Sequence, residues 1–382
     1  MNRHPVITEA PMKRLRRFLG RREGERGQIL VVAVLSLIAM IGGVSLVLEG
    51  GNAYAHQRIA QNGSDAVANA GASVLAQKLG GATRTDLDVV VATAAVAASN
   101  AIDTYTGYYT DVSGKLLTIA GTTTSSPAAA AQVGGGTIPP GTQGIQITGN
   151  QTFPTTFARV LGMNNFRASA DATAVTGALT GGEFLPVIFP VNIVGCDGEG
   201  DLGLGEANWD ISEPGNPPVG TEYIVPLCKT GGGSYMILDL DGVSSNCDVE
   251  VSSPPKIQFA QFPATIASEN GNDCVKRMVD EVNALKGHVV FIPICDGACT
   301  TTGGSNAEYH VIRVAAFYLD YMSEQNSGAN AACDGDGVSL VAIGGNGSSS
   351  CLVGWFVRYI TSGPVGSGTI EGAGAIGIQL IR

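Results

Sequence analysis

The chain has 382 residues, with 22 Lys and Arg set against 33 Asp and Glu for a formal charge of −11. So few bases exclude nucleic acid as an expected partner, because little is left to pair with phosphates. Fifty-three glycines and sparse charge indicate a loop-rich β architecture, with room for two modest domains.

Charge is distributed unevenly. The N-terminal tail carries Lys13, Arg14, Arg16, Arg17, Arg21, Arg22 and Arg26, and an uncharged apolar run over 29–48 follows it. About 20 apolar residues at roughly 1.5 Å rise cross the hydrocarbon of a bilayer, so the run predicts a membrane helix. Arg58 is the first base beyond it, and the positive-inside bias places the tail in the cytoplasm and the long C-terminal part outside. A secretory signal also has a basic start, and Ala53-Tyr54-Ala55 offers a small-x-small cleavage site. The apolar run exceeds the usual h-region, however, and that site lies beyond Glu49 and two glycines. Arg16-Arg17 and Arg21-Arg22 fit a twin-arginine signal, but such pairs occur in any basic tail.

After the span, Glu49-Gly50-Gly51-Asn52 is where the helix would loosen, but 53–79 returns to helical character, with Ile59, Val67, Val74 and Leu75 among alanines, so one long helix is expected, its first half in lipid and its second half outside. Gly80-Gly81 ends it. A second helix starts at Thr85 or Asp86, and its face of Leu87, Val90, Val91, Ala94, Ala95, Ala98 and Ile102 is expected to be buried on the following strands. The pattern over 105–119 reads as a hairpin turning at Ser113-Gly114. Residues 120–142 are almost all Thr, Ser, Ala, Gly and Pro, which predicts a mobile loop. A strand over 144–149, a short helix over 153–161 and a strand over 166–175 follow, the last with alanines alternating at 168, 170, 172 and 174.

Residues 176–183 read as a boundary. Beyond it, strands are expected over 185–194, 221–227, 235–240, 288–294, 309–321 and 351–360. One helix over 273–285 has Val275, Met278, Val279, Val282 and Leu285 in phase. All eight cysteines, Cys196, Cys228, Cys247, Cys274, Cys295, Cys299, Cys333 and Cys351, lie in this part. An even set confined to the exported half predicts disulfides of undetermined pairing. Cys295-x-x-x-Cys299 also permits metal or redox chemistry, but it is not C-x-x-C and only His288 and His310 are near it in sequence.

Three parts of the chain carry a family resemblance. Gly27-Gln28-Ile29 opens the span; Glu49-Gly50-Gly51 and Tyr54, then Gln61-Asn62, Asp65-Ala66 and Gly71-Ala72 follow it. This ordered run resembles the N-terminal region of TadE/TadG-like proteins of the Tad (Flp) pilus-assembly system. Gly144-Ile145-Gln146-Ile147 through Phe157, Leu161-Gly162 and Ala168 to Ala174 is similar to the strand, helix and strand that such proteins carry, and 286–294 with 309–317 is similar to the C-terminal part of some members. The resemblance implies a non-enzymatic anchor or minor pilin-like component whose partners are membrane lipid, pilin and other assembly proteins, with no cofactor. Two departures bear on it. Asp210-Ile211-Ser212-Glu213-Pro214 lacks the last serine of the Asp-x-Ser-x-Ser metal motif of von Willebrand A-type domains. Val32 also stands where a prepilin processed after Gly27 would have glutamate, so a retained anchor is expected.

Catalytic signals are sparse. His4, His56, His288 and His310 fall in no catalytic motif, and no catalytic, cofactor or metal residue is assigned. The runs 197–201 and 334–337 supply acidic oxygens, but the first has Leu202 and Asn208 where an EF-hand needs glycine and glutamate; a calcium loop of another kind stays open. The expected organisation is α+β: a basic tail over 1–28, a transmembrane helix over 29–48, a helical and small α+β pilin-like unit over 49–180, and a β-rich disulfide-bonded domain over 181–382. An exported enzyme or ligand-binding protein on a membrane anchor, and a cleaved secreted protein, are the alternatives.

Overall fold

The computed structural model describes residues 26–190, 223–227, 237–243, 247–259, 261–269, 273–300, 308–323, 334–335, 338–339, 350–366 and 374–381. Its longest element is α1, Arg26–Leu79, a single helix of 54 residues without proline. Gly50 and Gly51 lie inside it, in open surroundings, and the helix runs through them as the one long helix the sequence predicts. Each glycine costs about 1 kcal/mol against alanine in a helix, which is small beside the cooperative extension of a helix already formed on both sides. Gly81 takes the left-handed conformation at φ +91°, and the Gly80 and Ala82 amides donate to the carbonyls of Ala76 and Gln77, so the end falls where the glycine pair predicts it.

Contacts divide the chain into two units, residues 1–58 with 152–168 and residues 59–151 with 169–382. In the first, the apolar side chains of 29–48 are exposed around the whole helix, and α1 is long and apolar enough to cross a membrane, with a mean hydropathy of 2.7 over an 18-residue window. In the second, α1 buries Ala60, Ser64, Val67, Ala68, Ala72 and Leu75, a stripe at three- and four-residue spacing. It packs against Ile145, Ile147, Ala172 and Ala174 of a sheet. The small residues set the distance: a Cβ on Gly71 would stand 2.7 Å from Ile145 Cδ1.

Helix α2 is Asp86–Ser99, and its buried residues are Asp86, Val89, Thr93 and Ala97. The expected apolar face is therefore corrected in phase, since Leu87 and Val91 are exposed at 68% and 61%. With valine and alanine nearly all round, composition does not fix the rotation. Polar partners do: Thr93 Oγ1 bonds the Val89 carbonyl and the Tyr105 hydroxyl, and Asp86 meets three donors, described below.

The strands are β1 Thr104–Thr110, β2 Leu116–Leu117, β3 Thr123–Thr124, β4 Gly144–Pro154, β5 Asn165–Leu179, β6 Gly181–Glu183, β7 Phe189–Pro190, β8 Tyr223–Leu227, β9 Lys256–Gln258, β10 Ala264–Ala267, β11 Val289–Thr300, β12 Glu308–Ser323, β13 Asp334–Gly335, β14 Val338–Ser339, β15 Ser350–Val357, β16 Tyr359–Ser362, β17 Val365–Gly366 and β18 Ala375–Ile381. Two further helices are α3 Cys247–Ser252 and α4 Asp273–Ala284. The first sheet runs β16-β18-β5-β4-β1-β2-β3, with β17 on β5. Gly114, at φ +79°, turns β1 into β2 as the hairpin pattern predicts. The stretch expected to be a mobile loop is built into the structure: the Ala131 and Val133 amides donate to Leu117 and Gly107, and Ala131 is buried. Backbone pairing to a strand edge supplies what its small side chains lack.

Strand β5 runs into the expected boundary as far as Leu179, and β18 pairs along it from Ala178 to Thr173, so one sheet holds strands from both sides of residue 180. A second sheet runs β7-β11-β12-β15-β8, with β10 on β12. β12 is buried on both faces: Val311, Val314, Ala316 and Tyr318 join one core cluster, and Ala315, Phe317 and Leu319 the other. This is why 309–321 reads as a nearly continuous apolar run. α4 covers one face with Met278 and Val282.

Candidate functional site

Where α1 leaves the apolar span, Glu49 is buried, and its carboxylate accepts the Thr156 amide at 3.2 Å from each oxygen and the Phe157 amide at 3.1 Å. Two helical turns on, His56 stacks on Phe153 with centroids 4.0 Å apart, and Phe166 meets Phe153 edge-on. Arg58 Nε donates to the Tyr54 hydroxyl at 3.1 Å. The carboxylate supplies acceptors for amides at the start of the 3-10 turn Ala158–Leu161, the part of the expected 153–161 helix that forms. The turn is thereby clasped to α1.

The other residues of the family-like run do not converge on this clasp. Gln61 Nε2 donates to Asp65 Oδ1 at 2.9 Å and to the Asp171 carbonyl at 3.1 Å, tying α1 to β5. Asn62 is exposed, Ala66 is half-buried, and Gly27 and Gln28 lie in the first turn of α1.

Asp86 is buried at the start of α2. It accepts the Tyr109 hydroxyl and the Gly134 and Gly136 amides, the last two at 3.0 and 2.7 Å. Tyr109 is fully buried, and this burial, with the hydrogen bond and charge of Asp86 adding to it, pushes the phenol far above its usual range. At the same helix end the Thr85 amide and hydroxyl both donate to Asp88, and those bonds hold the Asp88 carboxyl below its usual value.

Of the cysteines, Cys247, Cys295 and Cys351 are fully buried, Cys274 falls in α4 and Cys299 in β11, and Cys196, Cys228 and Cys333 lie outside the described residues. The acidic run 197–201, the stretch 210–214 and the tail bases before Arg26 lie outside them too. His288 is exposed, with Nδ1 3.2 Å from the Lys286 carbonyl, and His310 stands opposite Thr265 in the β10–β12 register. A groove of about 610 Å³ runs past Leu179, Phe184, Val251 and Phe291, and its charged lining residues are Glu183 and Lys256, which face each other across β6 and β9.

One acidic group went unassigned in the sequence. Asp239, Asp241 and Glu250 each bring a carboxylate oxygen within 4.8 Å of the other two. Glu250 is 1% exposed; its Oε1 accepts the Leu240 amide at 2.7 Å and the Asp241 amide at 3.1 Å. The two aspartates shape the turn, Asp239 accepting the Gly242 amide at 2.6 Å and Asp241 the Val243 amide at 2.8 Å. Burial, only partly offset by the two amide bonds, pushes the Glu250 carboxyl up to about 7. The signal was in the spacing: Asp-x-Asp followed at the twelfth position by Glu matches an EF-hand loop at positions 1, 3 and 12, and Val243 and Ser244 break it at 5 and 6. No protein-family model matches the chain, and no curated protein or solved structure was found to be similar to it.

Proposed function

We propose that the protein is a single-pass membrane component of a pilus-assembly or related surface-secretion system of the Tad type, with its tail in the cytoplasm and the remainder outside. The observation that carries this reading is α1, one unbroken helix whose residues 29–48 expose apolar side chains on every side and whose residues 60–75 bury small ones on a sheet. A helix of this kind serves lipid with one half and a folded unit with the other. The protein acts by assembly and without chemistry of its own. The outward face of α2, with Leu87 and Val91, is the contact surface offered to pilin or another assembly protein.

In the exported part the cysteines form disulfides, a reading supported by their even number and by the burial of Cys247, Cys295 and Cys351. Val32 favours an anchor that keeps the residues before Gln28. Purification of the full chain from membranes should bring down pilin or a pilus-assembly protein, and Leu87→Asp with Val91→Asp should lose it while leaving the anchor in place. Recovery of no such component would count against the reading. Protease added to spheroplasts should degrade residues beyond 49 and spare the tail.

A further inference from the structure

We propose that Asp239, Asp241 and Glu250 form a calcium site. Three carboxylates that bring oxygens within 4.8 Å of one another repel, and one belongs to a residue only 1% exposed. Hydrogen bonds account for part of this arrangement. They occupy Glu250 Oε1, whereas Glu250 Oε2 is buried and accepts no hydrogen bond. A buried carboxylate oxygen without a donor is costly, and a cation facing it removes the cost. The Arg277–Asp248 and Lys286–Asp320 ion pairs involve neither Asp239 nor Glu250.

The donor chemistry selects the ion. All three ligands are hard oxygens with no cysteine or histidine among them, which suits calcium or magnesium and disfavours zinc and copper. Calcium is the better fit, because it accepts irregular geometry, whereas magnesium demands a near-ideal octahedron. The turn is already bent toward this use. Amide bonds from Gly242 and Val243 fix Asp239 and Asp241, and the amides of Leu240 and Asp241 fix Glu250, so the carboxylates are held before any ion arrives. The site stands independently of the assembly reading, since it asks nothing about partners.

The test uses the full chain in detergent micelles, stripped with chelator and titrated with calcium chloride, read by thermal unfolding and by equilibrium dialysis. Half-saturation is expected on the order of 0.1 to 1 mM, the range of extracellular calcium modules. Asp239→Asn with Asp241→Asn should lose one bound ion per chain and weaken the calcium-dependent rise in Tm at least tenfold in concentration. Both side chains are at least partly exposed and keep an oxygen for the turn amides, so this variant folds. Glu250→Gln, which keeps an acceptor for Leu240 and Asp241, should do the same. Magnesium at equal concentration should raise Tm less. Calcium binding and a Tm rise unchanged in both variants would assign the ion to another acidic loop and overturn the proposal, as would no binding by the unsubstituted chain.

Discussion

Asp86 and Glu250 are both buried carboxylates, and their surroundings are opposite. Asp86 is met by a hydroxyl and two amides from a neighbouring strand and loop, so every donor in reach finds it and it knits α2 to the sheet. Glu250 has donors on one oxygen only, and the groups nearest its carboxylate include two more acids. Glu49 belongs with Asp86, since amides of Thr156 and Phe157 reach both of its oxygens. The same functional group thus closes a structure in two places and leaves a ligand position open in a third. What separates them is the supply of donors, not burial.

Removing a fully met carboxylate should therefore cost most. Asp86→Ala orphans the Tyr109 hydroxyl, which is inaccessible to water, together with the Gly134 and Gly136 amides, and should destabilise the full chain in urea by on the order of 3 kcal/mol or more. Asp86→Asn, which keeps an acceptor and adds a donor among donors, should fall between. Glu49→Ala should cost less, about 1 kcal/mol, because Thr156 is exposed and its amide can turn to water. Hydrogen exchange should show faster exchange at the Thr156 and Phe157 amides with little change in β12. If global stability fell as far as for Asp86→Ala, the clasp would belong to the core.

The elements that hold these carboxylates were legible to different degrees. The long helix, its glycine stop, the Thr85–Asp86 start of α2 and the buried run of β12 follow from composition and period, because each is set by local residues. The rotation of α2 does not, since valines and alanines cover it and the deciding partners, Tyr109 and the Gly134 and Gly136 amides, are 23 to 50 residues away. The order in 120–142 and the return of β18 to β5 are likewise non-local pairings, which depend on backbone edges and leave no periodic trace. Asp239, Asp241 and Glu250 were readable as spacing, but the EF-hand template discards them at Val243 and Ser244. Only the fold brings Glu250 back beneath the turn.

Glu250→Gln sharpens the contrast from the other side. In chelator it should change stability by under about 1 kcal/mol, because an amide oxygen still meets the Leu240 and Asp241 amides and the unmet charge is gone. A loss as large as that of Asp86→Ala would mean that Glu250 is a structural carboxylate like the other two.

The smallest effect is expected at Asp88, a carboxylate that donors meet at the surface instead of in the core. The Thr85 amide and hydroxyl hold its pKa below the ordinary carboxylate value, so the stability it gives is complete above that value and is lost as the pH falls through the lower folded value. Asp88→Asn should therefore lower Tm slightly at pH 7, and the difference should vanish once the pH has fallen below the lowered folded value. Water reaches both partners, and salt should shrink the difference further. A loss at pH 7 rivalling that of Asp86→Ala would show that burial, and not the count of donors, is irrelevant to what a carboxylate contributes here. A small loss leaves donor supply and exclusion of water as the two conditions that Asp86 meets together and Asp88 meets only in part.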